Sequence, residues 1–460
     1  MAHVTHQQVQ PARLEQLGIV HPSAAGLDIS ADEIVAAVPP DRDPQPVRAF
    51  RTFTVDLYRL ADWLVHCGIE TIALESTGIY WVPIFELLEA RGIQVQVVNA
   101  RHVKTVPGRK SDWNDAQWLQ QLHTLGLLRG SFRPDAEMCV LRSYLRHRAE
   151  LIQHRAPHIL HMQKAMLQMN LHLTQVLTDV TGTTGLAIIR AIVAGERDPV
   201  RLAQLRNGNC KSSEDQIAKA LTGTWRPEHL FVLQQSLALF DYYTTLIAAC
   251  DAQIKQQFAV MKPRFEAPEP STPLGARKPK SKSKNKPNFN ARAELHRVVG
   301  LDLTKVTGLS SSLVLTIISE IGTDMTKWPT VKHFCSWLGL APRNDISGGK
   351  VLRSRTLKNV NRATQAFRQA AQSVARSDSV FGAYFRRMRA KLGPQQATVA
   401  TAHKIARVVY HLLKQHEVFE ATTALEYDRQ CRERELKDLQ RKAAKLGFAL
   451  APNAQPTPTG

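Results

Sequence analysis

Closely spaced cysteines are missing from this chain. Its six cysteines (Cys67, Cys139, Cys210, Cys250, Cys335 and Cys431) are scattered and form no Cys-x-x-Cys pair. Neither a disulfide framework nor a thiolate zinc site is therefore indicated, and the thiols read as reduced packing residues. Long apolar runs are missing too: nothing approaches the ~18 unbroken apolar residues of a membrane span. The opening MAHVTHQQVQ has no signal-peptide core, so a soluble, cytoplasmic protein is expected. Acidic residues are scarce, with Asp+Glu 40 against Lys+Arg 60 and a formal net charge of +20. That imbalance calls for a polyanionic partner, most simply nucleic acid.

What is present points to several domains. A chain of 460 residues, 43% hydrophobic, exceeds one ordinary core and has the apolar material for more. Over residues 20–135, AAGLDIS and EIVAAV read as a strand hairpin, LYRLADWLVHCG as a helix and TIALES as a strand. PIFELLEARG then reads as a helix ended by Gly92, and IQVQVVNA as a strand. Residues 136–262 turn helical, and in the last helix Tyr243, Leu246, Cys250, Ile254 and Phe258 recur at three or four. This seam serves either a core-facing helix or a coiled-coil oligomerisation contact. Residues 263–292 are rich in Pro, Ser and Lys, with no acid between Glu269 and Glu294, and read as a disordered basic linker. A second, mostly helical domain is expected over 293–416, followed by a charged helix and flexible tail over 417–460.

Four carboxylates of the first domain carry the chemistry. Asp28 lies within the first strand, Glu75 at the end of TIALES, and Asp112 and Asp115 in RKSDWNDAQWL, which opens a helix. Residues three apart share a helix face. If that helix packs over adjacent strands, the four converge, and a hard divalent cation, Mg²⁺ or Mn²⁺, relieves their repulsion. Two such ions can activate an attacking oxygen and stabilise a leaving one on a phosphodiester. Each acid also has a plainer role: Asp112 as an N-cap, Asp115 as a partner of the macrodipole, Glu75 as a cap of the turn STG. As a set, in strand, strand, helix order, they describe an RNase H-like nuclease fold, so the expected class is α/β plus mostly α.

The second domain holds the stretch NDISGGKVLRSR. Ser347 precedes Gly348 and Gly349, which suit a hairpin turn, while Lys350, Arg353 and Arg355 offer charge to a phosphate. Lys358, Arg362 and Arg368 fall along a following helix as further nucleic-acid contacts or as a solvated face. Elsewhere, His154, His158 and His161 have helical spacing suited to a metal, but Pro157 is expected to break the helix and basic neighbours repel a cation. Trp113 and Trp118 flank the acidic helix and are read as packing residues rather than base-stacking platforms.

GLDIS, ALESTGIYW and VVNARHVKTVPGRKSDWNDAQWL resemble the DEDD domain of insertion sequence family 110 transposases, a domain similar to the RuvC Holliday-junction resolvase. SEIGTDMTKWPTVKHFCSWLGLAPRNDISGGK and KNVNRATQAFRQAA resemble the same family's C-terminal transposase domain. The resemblance implies a recombinase that excises and inserts its own mobile element, guided by a bridge RNA that pairs with donor and target DNA. It implies that Asp28, Glu75, Asp112 and Asp115 bind the metal and that Ser347 attacks a DNA phosphate to form a phosphoserine link. It further implies a homo-oligomer, dimer or tetramer, with composite active sites. The family usually has a helix-hairpin-helix where this chain reads LTKVTGLSSSLVLTIISEIG; Ser310 stands where a second glycine is common, which puts the phosphate contact in doubt. The residues alone leave two other outcomes: a metal-only nuclease in which water attacks, and a non-catalytic nucleic-acid-binding protein.

Overall fold

The computed structural model describes residues 18–75, 78–99, 112–263, 284–356, 361–419 and 423–451. The chain divides into two compact units, residues 1–133 and 134–460.

The first unit is built on a five-stranded sheet: β1 (Ala24–Ile29), β2 (Glu33–Ala37), β3 (Val47–Arg51), β4 (Thr71–Glu75) and β5 (Gln94–Val98). Its order is β3-β2-β1-β4-β5, with β1, β2 and β3 antiparallel to their neighbours and β1, β4 and β5 parallel. This mixed sheet is RNase H-like. The edge strand VRAFR escapes the sequence reading because it is short and only partly covered, so its apolar alternation is weak. Helices α1 (Thr54–His66) and α2 (Trp81–Ala90) cover one face. There Leu27, Ile72 and Leu74 of the strands meet Leu60, Leu64, Ile84 and Leu88 of the helices, all fully buried. Each such side chain contributes roughly 1.5–3 kcal/mol, which makes this layer the main core of the unit.

Helix α3 (Asp112–Thr124) packs on the other face. It approaches so closely that a Cβ on Gly26 would stand 2.3 Å from the Ala116 carbonyl oxygen and 2.4 Å from the Gln120 nitrogen. Gly26→Val should therefore push α3 off the sheet at a cost on the order of 1–3 kcal/mol, read as a lower thermal midpoint. At the C-terminal end of α3, the Thr124 carbonyl accepts from the Val20 and His21 amides, and buried His123 hydrogen-bonds Thr71 at 2.9 Å. Burial, with His21 alongside, holds the His123 pKa down from 6.5 to about 4. Below pH ~6.5 the unfolded chain gains a proton that the folded chain refuses, so stability should fall as pH drops toward 4 and then level off. The loss from this one group is roughly 2–3 kcal/mol, measurable by urea unfolding of the parent and His123→Gln across that range.

In the second unit, α4 (Ala136–Gln168) and α9 (Pro227–Val260) form a long helical pair. Four short helices lie between them: α5 (Leu173–Val176), α6 (Thr183–Val193), α7 (Pro199–Gln204) and α8 (Glu214–Ala220). Contrary to the expected break, α4 runs through Pro157. An interior proline costs about 3 kcal/mol of helix stability, and packing along α9 outweighs it. The seam of α9 faces its own chain: Ile254 and Phe258 are fully buried, and Tyr243 stacks on His158 at 5.5 Å. Between the pair, Arg148 makes a buried ion pair with Asp251 at 2.6 Å. Of the basic stretch 263–292, residues 264–283 lie outside those described. The Asn285 carbonyl accepts from Arg148, and the Asn288 amide donates to Asp251, so this end of the stretch is fastened to the helical pair.

The remainder comprises α10 (Ala291–Val299), a 3₁₀ turn (Leu303–Lys305), α11 (Ser311–Ile321), α12 (Val331–Trp337) and a hairpin, β6 (Pro342–Ser347) and β7 (Lys350–Thr356). Helices α13 (Arg362–Ser373), α14 (Val380–Leu392), α15 (Pro394–Gln415) and α16 (Ala424–Lys445) follow. Buried Glu320 of α11 accepts from Arg146 of α4 at 2.9 and 2.7 Å, tying these helices to the long pair within one unit. Among the described residues, no helix is long and apolar enough to cross a membrane.

Candidate active site

The strand register brings two of the four acids together. β1 and β4 run parallel with Gly26 beside Ala73 and Leu27 beside Leu74. The paired register ends there; Asp28 and Glu75 are the next residues of their strands, which in a ladder lie ~4.8 Å apart. Side chains alternate between faces, so Asp28 shares the face of Gly26, and Glu75 that of Ala73. That is the α3 face, because Ala116 and Gln120 crowd Gly26 and because Ala73 and Val98 pack on Leu119 and Leu122. Both carboxylates are half-buried.

The direction of α3 carries its first turn toward the same end of the sheet without closing the set. Its C-terminal end sits at the start of β1 and β4, as the Thr124 and His123 contacts fix. Its first turn, which carries Asp112 and Asp115, is therefore directed toward the C-terminal ends of those strands. Asp115 is half-buried beside fully buried Ala116. Asp112 is the first residue of α3, and its side chain lies outside those described. Among the described residues, no three His, Cys, Asp or Glu side chains stand close enough together to hold a metal. The donor chemistry still fits a hard divalent cation, since Asp28, Glu75 and Asp115 offer oxygen alone and His123 is held at the opposite end of α3.

Ser347 lies at the tip of the β6–β7 hairpin. It pairs with Lys350 across Gly348 and Gly349, whose φ values of 54° and 75° define a turn with two left-handed residues. Such a two-residue turn matches the twist of the strands, and glycine adopts it without strain. The sequence reading of a turn holds, but it missed the two strands. Every residue of the hairpin before Thr356 is exposed, Leu352 at 71%, so no buried face gave these strands an apolar alternation. The register also exposes a cation absent from the sequence reading: Arg343 stands opposite Arg355. Like charges across a strand pair repel, so Arg343, Lys350, Arg353 and Arg355, against the single Asp345, favour a bound anion.

The remaining candidates divide. Lys358 lies outside the described residues. Arg362 opens α13 and forms an ion pair with Glu150 at 3.8 Å, while half-buried Arg368 keeps its Nε out of solvent. Trp113 has an undescribed side chain; Trp118 packs on the Ala73, Val98 and Leu119 cluster, as a packing residue should. His154 and His158 both lie against Tyr243, at 5.9 and 5.5 Å, which makes them part of the α4–α9 contact. Before α11, a Cβ on Gly308 would meet Ala370 O at 2.8 Å, and Ser310 caps the helix by accepting from the Leu313 amide. Both features are explained by packing and capping.

Two segments of the chain match known families. Residues 25–171 match the family model of a DEDD transposase domain of the IS110 type, and residues 302–386 match that of the transposase IS116/IS110/IS902 family. Together they take in about half of the chain, and no curated protein matches it. The RNase H-like sheet with acids at its strand ends and the helical unit that follows thus define a DNA transposase, an enzyme that cleaves and transfers phosphodiester strands. The chain belongs to the IS110 family of transposases.

Proposed function

We propose that this transposase is a bridge-RNA-guided recombinase that excises and inserts its own insertion sequence through a serine nucleophile. The observation that carries the reading is the pairing of two features. One is Asp28 and Glu75 near the C-terminal ends of the paired strands β1 and β4, on the face that α3 covers; the other is Ser347 at the tip of an uncovered basic hairpin. A hairpin with no core of its own is suited to an external partner, and its cations suit a nucleic-acid backbone. Asp28, Glu75, Asp112 and Asp115 would hold Mg²⁺ or Mn²⁺, which when bound neutralises charge on the reacting phosphate.

The chain's own part is a transesterification. Ser347 Oγ forms a bond to phosphorus as one ester oxygen of the DNA leaves; the hydroxyl proton passes to solvent, and the leaving oxygen takes one up. One phosphodiester replaces another, so no external energy source is needed. Lys350, Arg353 and Arg355, with Lys358 and Arg362 further along, hold the backbone in place. Neutral serine is a weak nucleophile, and among the described residues no base is fixed against Ser347. Activation therefore depends on the assembled complex, in keeping with a dimer or tetramer in which one protomer's acids serve another's serine.

The reading assigns residues 20–135 to a RuvC-like domain, 136–262 to oligomerisation and 263–292 to a basic linker. It assigns 293–416 to the serine-bearing domain and 417–460 to a charged helix and tail, in a cytoplasmic protein. The test is to purify the protein, sequence the RNA that accompanies it, and reconstitute recombination between donor and target plasmids with and without that RNA. Equal recombination without RNA would remove the guide from the mechanism.

A further inference from the structure

The strand register gives the β6–β7 hairpin two unlike faces. Side chains alternate along a strand, and residues paired across an antiparallel ladder share a face. One face therefore carries Arg343 with Arg355, Asp345 with Arg353, and Ser347 with Lys350. The other carries Pro342 with Thr356, Asn344 with Ser354, and Ile346 with Val351. Between Asp345 and Ile346 the register shifts by one, and the extra residue on β7 is Leu352. A bulge leaves its residue without a partner in the ladder and increases the local twist. Three apolar side chains thus stand near the tip, starting at the residue before Ser347: Ile346 is 63% exposed, Val351 54% and Leu352 71%.

The rest of the hairpin indicates what covers them. A strand pair that packs on protein is apolar on successive rungs of the covered face. Here the rungs behind the tip are Asn344 with Ser354 and Pro342 with Thr356, so the apolar part ends after one rung and its bulge. The reverse face carries four cations against one carboxylate, the charge a phosphate backbone requires, in an enzyme that acts on DNA. Apolar at the tip, polar on the next rung and basic behind, the hairpin matches the layers of a nucleic acid: stacked bases, polar base edges and sugars, then phosphates. We propose that Ile346, Val351 and Leu352 form a wedge that enters the DNA base stack at the step beside the phosphate held on the Ser347 face. They are positioning residues: they unstack and bend the strand so that its phosphate is presented to the serine, and they do not touch the reacting atoms. The contact with bases stands on the two faces of the hairpin; its place beside the attacked phosphate rests on the serine reading proposed above.

The experiment uses the full-length protein, with any RNA that purifies with it, and a duplex spanning the end of the insertion sequence. 2-Aminopurine, whose fluorescence rises on unstacking, replaces one base at a time. With the parent protein at least one step should brighten threefold or more. Ile346→Ser/Val351→Ser should abolish the rise at that step and lower strand exchange at least tenfold, with an unchanged thermal midpoint because both residues are exposed. A mismatch placed at the same step, already poorly stacked, should return exchange by the variant to within about threefold of the parent. Ile346→Leu/Val351→Ile should keep both fluorescence and exchange. Ser347→Ala should keep the fluorescence rise while losing exchange, so exchange that survives this change would count against the serine and leave the wedge standing. Equal fluorescence in parent and serine-substituted wedge at every step would overturn the proposal. So would a loss of exchange that the mismatch does not relieve, which would set these side chains against protein instead of bases.

Discussion

Ser347→Ala should stop strand exchange, with a loss on the order of 10³-fold or more, while DNA affinity stays within about twofold. The asymmetry follows from where the residue sits. Ser347 is exposed at the end of β6, and its hydroxyl supports no core. Removing one surface oxygen should change stability by no more than about 0.5 kcal/mol, so the unfolding curve serves as the control. The neighbouring cations Arg343, Lys350, Arg353 and Arg355 remain, and with them the charge proposed to hold a DNA backbone. What disappears is the atom that would bond to phosphorus. A denaturing gel should therefore show a DNA-bound protein band for the parent and none for Ser347→Ala. A band that persists would point to another nucleophile; cleavage without any band, in parent and variant alike, would favour direct attack by water.

Much of this arrangement can be read from the sequence, and the exceptions share a physical cause. Strands β1 and β4 are legible because each is an apolar run buried in the centre of the sheet, and the edge strand β5 because QVQVV alternates apolar and polar residues. The acids are legible as a set because carboxylates at strand ends, followed by a pair three apart, have few other uses together. The register that sets Leu27 beside Leu74 is not legible, since it joins strands more than forty residues apart, and neither is the close approach of α3 that Gly26 admits. Strands β3, β6 and β7 leave little or no one-sided pattern because they lack a covered face. The continuity of α4 through Pro157 is likewise a tertiary effect: a local rule predicts a break, and α9, more than sixty residues later, overrides it.

Neutralising the carboxylates should separate catalysis from folding. Asp28→Asn, Glu75→Gln, Asp112→Asn and Asp115→Asn should each lower DNA cleavage in Mg²⁺ by on the order of 10²-fold or more, because an amide supplies less charge to a hard cation. If the four acids converge as proposed, they repel one another in a chelator. Each amide then removes a like charge, and the variant's thermal midpoint should match or exceed that of the parent. Adding Mg²⁺ should raise the parent's midpoint, since ligand bound to the folded state alone stabilises it by about 2.7 kcal/mol at a hundredfold excess over Kd. The variants should show little such rise. Asp112→Asn carries the most weight, because asparagine caps a helix about as well as aspartate. If Asp112 served only the start of α3, this change would leave cleavage intact, as it preserves the cap while removing the charge.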